Sequence, residues 1–298
     1  MASKPGADSL PTLNVIGCGR AAGSLARLWL QAGVAQIGAL LNRSQPSTQR
    51  AAQRIGAGAE AQCIEHMPAA HYWLIGTGDD QIATVAEGLS AVRDDLDGAL
   101  VFHLAGRFGL DVLMPLQQRG AHLAAMHPVR SLTHNRLTLA DFQGTACVAE
   151  GSSAALARLR PLVEAIGGRW LPVRDIDRGL YHAAVSILSN VTKGVAWKAQ
   201  NWMTGAGLPA ATAAAVAHQL LATTMEDLFR SGAKQSITGP VVRGDTRTIE
   251  AHLEALHGSY SADIDVYRVL ARTVLELAEE RGDLDAETLA RFDTLLRG

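Results

Sequence analysis

At 298 residues, 48% hydrophobic and 19% charged, the chain can bury the cores of two ordinary domains, which excludes a disordered polymer. A formal net charge of -2 offers no polyanion-binding surface and sets nucleic acid aside. Three dispersed cysteines, Cys18, Cys63 and Cys147, exclude a disulfide scaffold and a paired-cysteine metal site and suit a reducing cytoplasm.

Residues 1–12 are polar, carry two prolines and lack the apolar core of a signal peptide, so they read as a loose tail. From residue 13 to about 174, short apolar runs alternate with helical patterns. Strands are expected at 13–16, 36–41, 72–75, 99–103, 122–126, 145–149 and 169–173, with helices such as 21–32 and 154–166 between them. That alternation predicts a doubly wound α/β domain of parallel strands and crossover helices. After residue 174 the strand signal ends. Helical stretches at 175–200, 209–231, 246–256, 262–281 and 286–296 predict an all-helical second domain over 175–298. Pro209 suits a first turn, Gly232 a helix end and Asp245 an N-cap. No apolar run is long enough to span a membrane.

The first strand runs straight into Gly17-Cys18-Gly19-Arg20-Ala21-Ala22-Gly23. Gly17 permits the tight turn, Gly19 lets backbone approach a pyrophosphate, and Ala22 keeps the helix close to the strand. The helix that opens at Arg20 and Ala21 would aim its free N–H groups at phosphate. The motif is short, but its strand–turn–helix setting makes it a dinucleotide site. A structural glycine turn is the competing account.

The end of the second strand chooses the nucleotide. An NAD site places an acid there for the ribose 2′-hydroxyl. Here the strand ends in Asn42-Arg43-Ser44. Arg43 can pair with a 2′-phosphate, with Asn42 and Ser44 as neutral donors, so NADP is expected.

Ligands of a doubly wound sheet gather at the carboxyl ends of its strands. Thr77 and Gly78, in Gly76-Thr77-Gly78-Asp79-Asp80, would leave room for the middle of the cofactor, and Asp79 or Asp80 is expected to cap the next helix. His103 and His127 end neighbouring strands, where each could relay a proton or simply satisfy nearby backbone.

These segments form a set with His103-Leu104-Ala105-Gly106, His127-Pro128 with Ser131, Ser189-Asn190, Thr238-Gly239-Pro240 and Arg243-Gly244-Asp245. Together they resemble a bacterial family with a Rossmann-like N-terminal domain and a helical C-terminal domain of unknown function, whose members are labelled NADP oxidoreductases of deazaflavin-dependent type. That family is similar to ketopantoate reductase, 6-phosphogluconate dehydrogenase and 3-hydroxyisobutyrate dehydrogenase. The resemblance implies a two-domain plan, a homodimer and a substrate bound in the cleft between domains. It also implies a catalytic lysine followed four residues later by asparagine, one helical turn apart. Asn190 fits the asparagine, whereas the lysine position holds Ser186.

Asn190 lies in an otherwise apolar helical stretch and is expected to be buried against a partner. The same helix starts with Tyr181 and His182. Arg243 either clamps an anionic substrate or forms a salt bridge with Asp245. Three functions follow as expectations. In the first, an NADP(H)-dependent oxidoreductase moves a hydride to or from a small, anionic carbonyl, hydroxy or imine compound. His103, His127 and Asn190 serve catalysis there, and Ser186, Asn190 and Arg243 hold substrate. The second is a non-enzymatic NADP-binding sensor, motivated by the missing lysine. The third is an NADP oxidoreductase with a deazaflavin as electron partner.

Overall fold

In the computed structural model, residues 10–132 and 137–297 are described, and most of the expected N-terminal tail lies outside them. β1 (Thr12–Ile16) is a short apolar strand buried on both faces, and α1 (Arg20–Gln31) follows it at once. β2 (Gln36–Leu41), α2 (Gln45–Ile55) and the two-residue β3 (Ala59–Glu60) come next, then β4 (Tyr72–Ile75) and α3 (Ile82–Val92). β5 (Leu100–His103), the short α4 (Met114–Gln117), β6 (His122–Pro128) and the single turn α5 (Leu139–Phe142) continue the alternation. β7 (Ala146–Gly151), α6 (Ser153–Ala165) and β8 (Arg169–Pro172) complete the sheet.

The eight strands lie in the order β3-β2-β1-β4-β5-β6-β7-β8. The order reverses around β1, where the chain steps outward first to one side and then to the other. A crevice at the carboxyl ends of β1 and β4 is the geometric consequence. One expectation is corrected here. All neighbours pair in parallel except β6 and β7, which are antiparallel. The segment that joins them spans residues 129–145 and carries only the single turn α5 among the described residues. It returns the chain as a hairpin-like connection and does not build a full crossover helix.

Side-chain alternation divides the core. Leu13, Val15 and Leu74 pack on one face with α1, α2 and α6, around the buried Trp29 and Phe102. Ile16, Trp73 and Ile75 pack on the other with α3 and α4. Asn14 is fully buried within this apolar strand and is satisfied: Oδ1 accepts from Ala39 N–H at 2.8 Å, and Nδ2 donates to the Pro68 carbonyl at 2.8 Å. Gly38 makes the first bond possible, because a Cβ there would lie 2.6 Å from Asn14 Oδ1.

After β8 come only helices among the described residues: α7 (Arg178–Ser186) and a π-helical turn (Ile187–Val191), then α8 (Thr192–Gly205), α9 (Ala210–Ser231), the single turn α10 (Ala233–Ser236), α11 (Thr246–Leu256), α12 (Ile264–Arg281) and α13 (Ala286–Arg297). The chain forms two compact units, one ending at Asn190 and one beginning at Val191. α7 is therefore part of the sheet-bearing unit, although its sequence continues the helical pattern. The second unit has its own core, which includes Ile249, Leu253, Leu275, Phe292 and Leu296. Asp245 caps α11 by accepting from Thr248 N–H at 3.1 Å, and Gly232 ends α9 with φ at +79°. Pro209 stands one residue earlier than expected, at the N-cap.

Candidate functional site

The turn after β1 is held by backbone and by Asn42. Gly17 has φ at +84°, and a Cβ there would lie 2.5 Å from Thr77 N, so the turns after β1 and β4 meet in near backbone contact. Gly76 is tighter still, since its Cβ would stand 2.2 Å from Ala22 Cβ. Gly19 is the N-cap of α1 and has no side chain to fill the space ahead of the helix. The first N–H groups of α1, at Arg20 and Ala21, thus remain for a ligand.

Gly17, Gly19, Asn42, Arg43, Thr77 and Gly78 line one cavity of 830 Å³, together with Ile16, Leu41, Gly76 and neighbouring residues of the turn. Its volume falls in the range of small-molecule sites. Thr77 Oγ1 is buried and bonds to nothing in the protein. A buried hydroxyl without a partner is costly, and a ligand beside it would remove that cost. The open helix start, the missing side chains at the turn and this hydroxyl fit a dinucleotide.

Two predicted contacts change character. Cys18 N–H, expected at the phosphate, donates to Asn42 Oδ1 at 2.7 Å. Asn42 Nδ2 donates to the Ser47 carbonyl at 3.1 Å, so both ends of this amide brace the loop. Ser44 is exposed, and its hydroxyl bonds to Ser47 Oγ. Arg43 is the exposed cation in the cavity wall. Sequence analysis missed Arg54, whose Nη2 donates to the Cys18 carbonyl at 2.7 Å and lies against Gly23. The Cys18 thiol is pushed up to about 12 by burial, with Arg54 pulling the other way, so it is an inert packing group.

Neither aspartate caps α3. Asp79 and Asp80 form a 3-10 turn with Gln81, and Gln81 is the uncapped N-cap residue. They stand in the 3-10 turn ahead of α3, whose own first turn carries no acidic residue.

The two histidines part company. His103 is fully buried at the end of β5. Its Nδ1 accepts from Ala105 N–H at 3.2 Å, and its Nε2–H donates to the Gly109 carbonyl at 2.9 Å. Both nitrogens are spent on folding the loop, and burial lowers its pKa. This ring has no atom left for substrate chemistry. His127 is half-buried, and its Nδ1 lies 2.9 Å from the Tyr181 hydroxyl, with the rings edge to face at 5.7 Å. Burial, then His182 and Arg178, push its pKa down to about 4, so it is neutral near pH 7. His182 crosses it at 6.2 Å. Gly106 lets the backbone pack closely against this corner: a Cβ there would stand 2.9 Å from both imidazoles.

Beneath the pair, Arg178 is buried and grips Glu150 Oε2 through Nε at 3.0 Å and Nη2 at 2.8 Å. Its guanidinium sits 6.0 Å from the Tyr181 ring, and its Nη1 is buried without a partner. Arg178 and Glu150 also border a second cavity of 520 Å³ with Arg107, Gly109 and Asp111. Sequence analysis noted Tyr181 and His182 only as the start of a helix and gave Arg178 and Glu150 no role. Their positions on β7 and α7 are meaningful only once β6 and β7 pair.

Three expectations for substrate residues end differently. Ser186 is half-buried at the end of α7. Asn190 was expected to be buried and is exposed, in the π-helical turn, with Ile187 and Leu188 exposed beside it. In the second unit, Arg243 is exposed in the loop before α11. Asp245 gives its carboxylate to Thr248, whose bonds hold its pKa low, with Arg243 contributing only through its charge.

Comparison with known proteins divides the chain earlier, in the connection between β6 and β7. A model described as a Rossmann-like domain matches residues 8–128, and one described as domain of unknown function DUF2520 matches residues 145–274. None of the curated proteins compared matches the chain. Among solved structures, a Bacteroides fragilis protein described as an NADP oxidoreductase is similar at 22% identity and a TM-score of 0.71, over 90% of this chain and 98% of that one. An imine reductase from Myxococcus stipitatus in complex with NADP+ is 16% identical with a TM-score of 0.65, over 95% and 99% of the two chains. A pyrroline-5-carboxylate reductase from Coxiella burnetii is 16% identical with a TM-score of 0.56, over 96% and 99%. At these identities the likeness is one of fold. The chain thus combines a Rossmann-like domain with a domain of unknown function, DUF2520.

Proposed function

We propose that the protein is an NADP(H)-dependent oxidoreductase that transfers a hydride to or from a small, anionic carbonyl, hydroxy or imine compound. The observation that carries this reading is the 830 Å³ cavity at the ends of β1, β2 and β4, with Arg43 in its wall and an unpartnered Thr77 hydroxyl beside it. Arg20 and Ala21 N–H groups would meet the pyrophosphate. Arg43 would pair with the 2′-phosphate, with Asn42 and Arg54 bracing the loop that presents it. When bound, the nicotinamide supplies the hydride. The chain has only to orient it, exclude water and manage a proton.

The proton belongs to the polar corner at Gly106, where His127 is neutral and bonded. Two of the named relatives, an imine reductase and a pyrroline-5-carboxylate reductase, support an imine substrate. Ser186 and Asn190 of α7 and its π turn, and Arg243 of the helical unit, remain our choices for substrate contacts. The domain division we propose keeps α7 with the sheet and begins the helical unit at Val191 in place of residue 175. We also propose a homodimer. In the helical unit Trp197, Leu220 and Phe229 are 62%, 60% and 81% exposed, more apolar surface than a solitary unit keeps wet.

Thermal denaturation with 1 mM NADPH or NADH tests the cofactor. At about 100 times the dissociation constant, a ligand of the native state adds about 2.7 kcal/mol. NADPH is expected to protect and NADH to protect less. Protection by NADH alone overturns the choice of nucleotide. Turnover of NADPH with a panel of cyclic imines, 2-keto acids and aldehydes tests the reaction, and binding without any turnover would favour the sensor reading. Sedimentation at micromolar concentration tests the dimer.

A further inference from the structure

The geometry points to Tyr181 as the proton donor of the reduction, with its phenol oxygen held by the Nδ1–H of His127. This rests on the reductase reading above. The two groups share a 2.9 Å hydrogen bond, and the rings meet edge to face at 88°, which fixes the phenol against the end of β6. A neutral imidazole has one N–H and one acceptor nitrogen, so the pair contains two hydrogens for one shared bond. If Nδ1 keeps its hydrogen and donates, the phenol hydrogen is free to point away from His127. Of these two neutral groups the phenol is much the stronger acid, with an ordinary pKa of about 10. The hydrogen to be given away is therefore the one on Tyr181.

The surroundings suit that assignment. The charged and titratable groups around the pair are Arg178 and His182 on α7, and Glu150 and Cys147 on β7. Arg178, 6.0 Å from the Tyr181 ring, favours the phenolate, and Glu150 holds Arg178 in place through two bonds. Burial works in the opposite sense and raises the phenol, with Cys147 adding to it. The phenol thus keeps its proton near neutral pH and releases it only to a group that becomes strongly basic. Gly106 packs its backbone against the His127 and His182 rings, and any side chain there would strike both.

In the step, a hydride from a reduced nicotinamide dinucleotide adds to the carbon of a C=N or C=O group. The π electrons move to the nitrogen or oxygen, which takes the proton from Tyr181 Oη. The C=N or C=O bond is reduced and the nicotinamide is oxidised. The phenolate keeps its hydrogen bond from His127 Nδ1–H and regains a proton from water. Tyr181 is the catalytic residue and His127 is a positioning residue.

Two measurements test this. The first needs no substrate: the ring nitrogens of 15N-histidine-labelled protein are recorded by NMR in wild type and Tyr181→Phe. The expected His127 signature is a protonated Nδ1 and an unprotonated Nε2, with the Nδ1 proton shift altered in Tyr181→Phe. An unprotonated Nδ1 overturns the proposal, because the phenol hydrogen would then be committed to His127. The second is single-turnover oxidation of bound NADPH by 2-methyl-1-pyrroline. Tyr181→Phe is expected to slow it at least ~100-fold, the low end of general acid catalysis, while NADPH affinity stays within about twofold. His127→Gln, which retains an N–H donor, should recover much of the rate lost in His127→Ala. A Tyr181→Phe rate within about threefold of wild type overturns the proposal. A wild type that NADPH does not protect from heat overturns the cofactor reading instead, a result separable from either arm.

Discussion

The first unit carries two polar groups at the ends of its strands, and they are built in opposite ways. At β1, β2 and β4 the groups that would meet a ligand are backbone N–H groups and missing side chains, and they come from short runs of adjacent residues. At β5 and β6 they are side chains from three separate segments: His127 on β6, Glu150 on β7 and the start of α7. A backbone-built site tolerates little change in shape, because its walls are main chain. A side-chain-built site tolerates little change in charge, because Arg178 and Glu150 are paired in a buried setting.

The comparison can be broken most severely at the ion pair. Glu150→Gln leaves Arg178 buried without its counter-charge, and a loss of about 3–5 kcal/mol in denaturant unfolding is expected. Glu150→Gln combined with Arg178→Met should recover a large part of it. Recovery that fails in the double variant would mean that the pair does more than neutralise itself.

Acid sharpens the same end. His127 is neutral in the native protein, with its pKa pushed down to about 4 from 6.5. The unfolded chain takes up that proton first. The histidine's contribution is therefore whole above pH 6.5 and is lost as pH falls from there towards 4, by up to about 3 kcal/mol. His127→Gln should remove that part of the slope in a stability–pH series.

The backbone-built end should answer to volume. Gly76→Ala drives a methyl into Ala22 and the Gly17 carbonyl, and a cost of about 1–3 kcal/mol with weakened NADPH protection is expected. Adding Ala22→Gly should restore part of both, because Ala22 Cβ is the nearest atom struck. Smallest is the effect of charge there. Arg43→Ala removes an exposed cation, and NADPH affinity should fall roughly tenfold while NADH affinity barely moves. Equal losses for both nucleotides would show that Arg43 does not meet the 2′-phosphate.

These differences also explain what could be read from the residues. The turn at Gly17–Gly23 was legible because its chemistry is local: each glycine answers to a backbone need within a few residues. Most strands were legible for the same reason, as short apolar runs between turns. The antiparallel pairing of β6 and β7 was not, because pairing direction depends on the path of a long connection and not on the pattern of either strand. Asn42 lines the cavity, but its amide serves the Cys18 and Ser47 backbone, which the strand-end pattern does not show. Asn190 was read as buried because its segment is apolar, yet that segment is exposed in this chain.

By itself the sequence determined the glycine turn after β1, the basic end of β2, the alternation of the first unit and the helical character of the second. All of these are set by contacts within a few residues or by the period of apolar side chains. Only the tertiary structure decided that His103 is spent on its own loop, that His127 is bonded to Tyr181, and that Arg178 and Glu150 pair beneath them. The last two outcomes depend on β7 returning beside β6 and on α7 packing with the sheet. Those contacts span 54 and 28 residues of chain, and no local pattern encodes them.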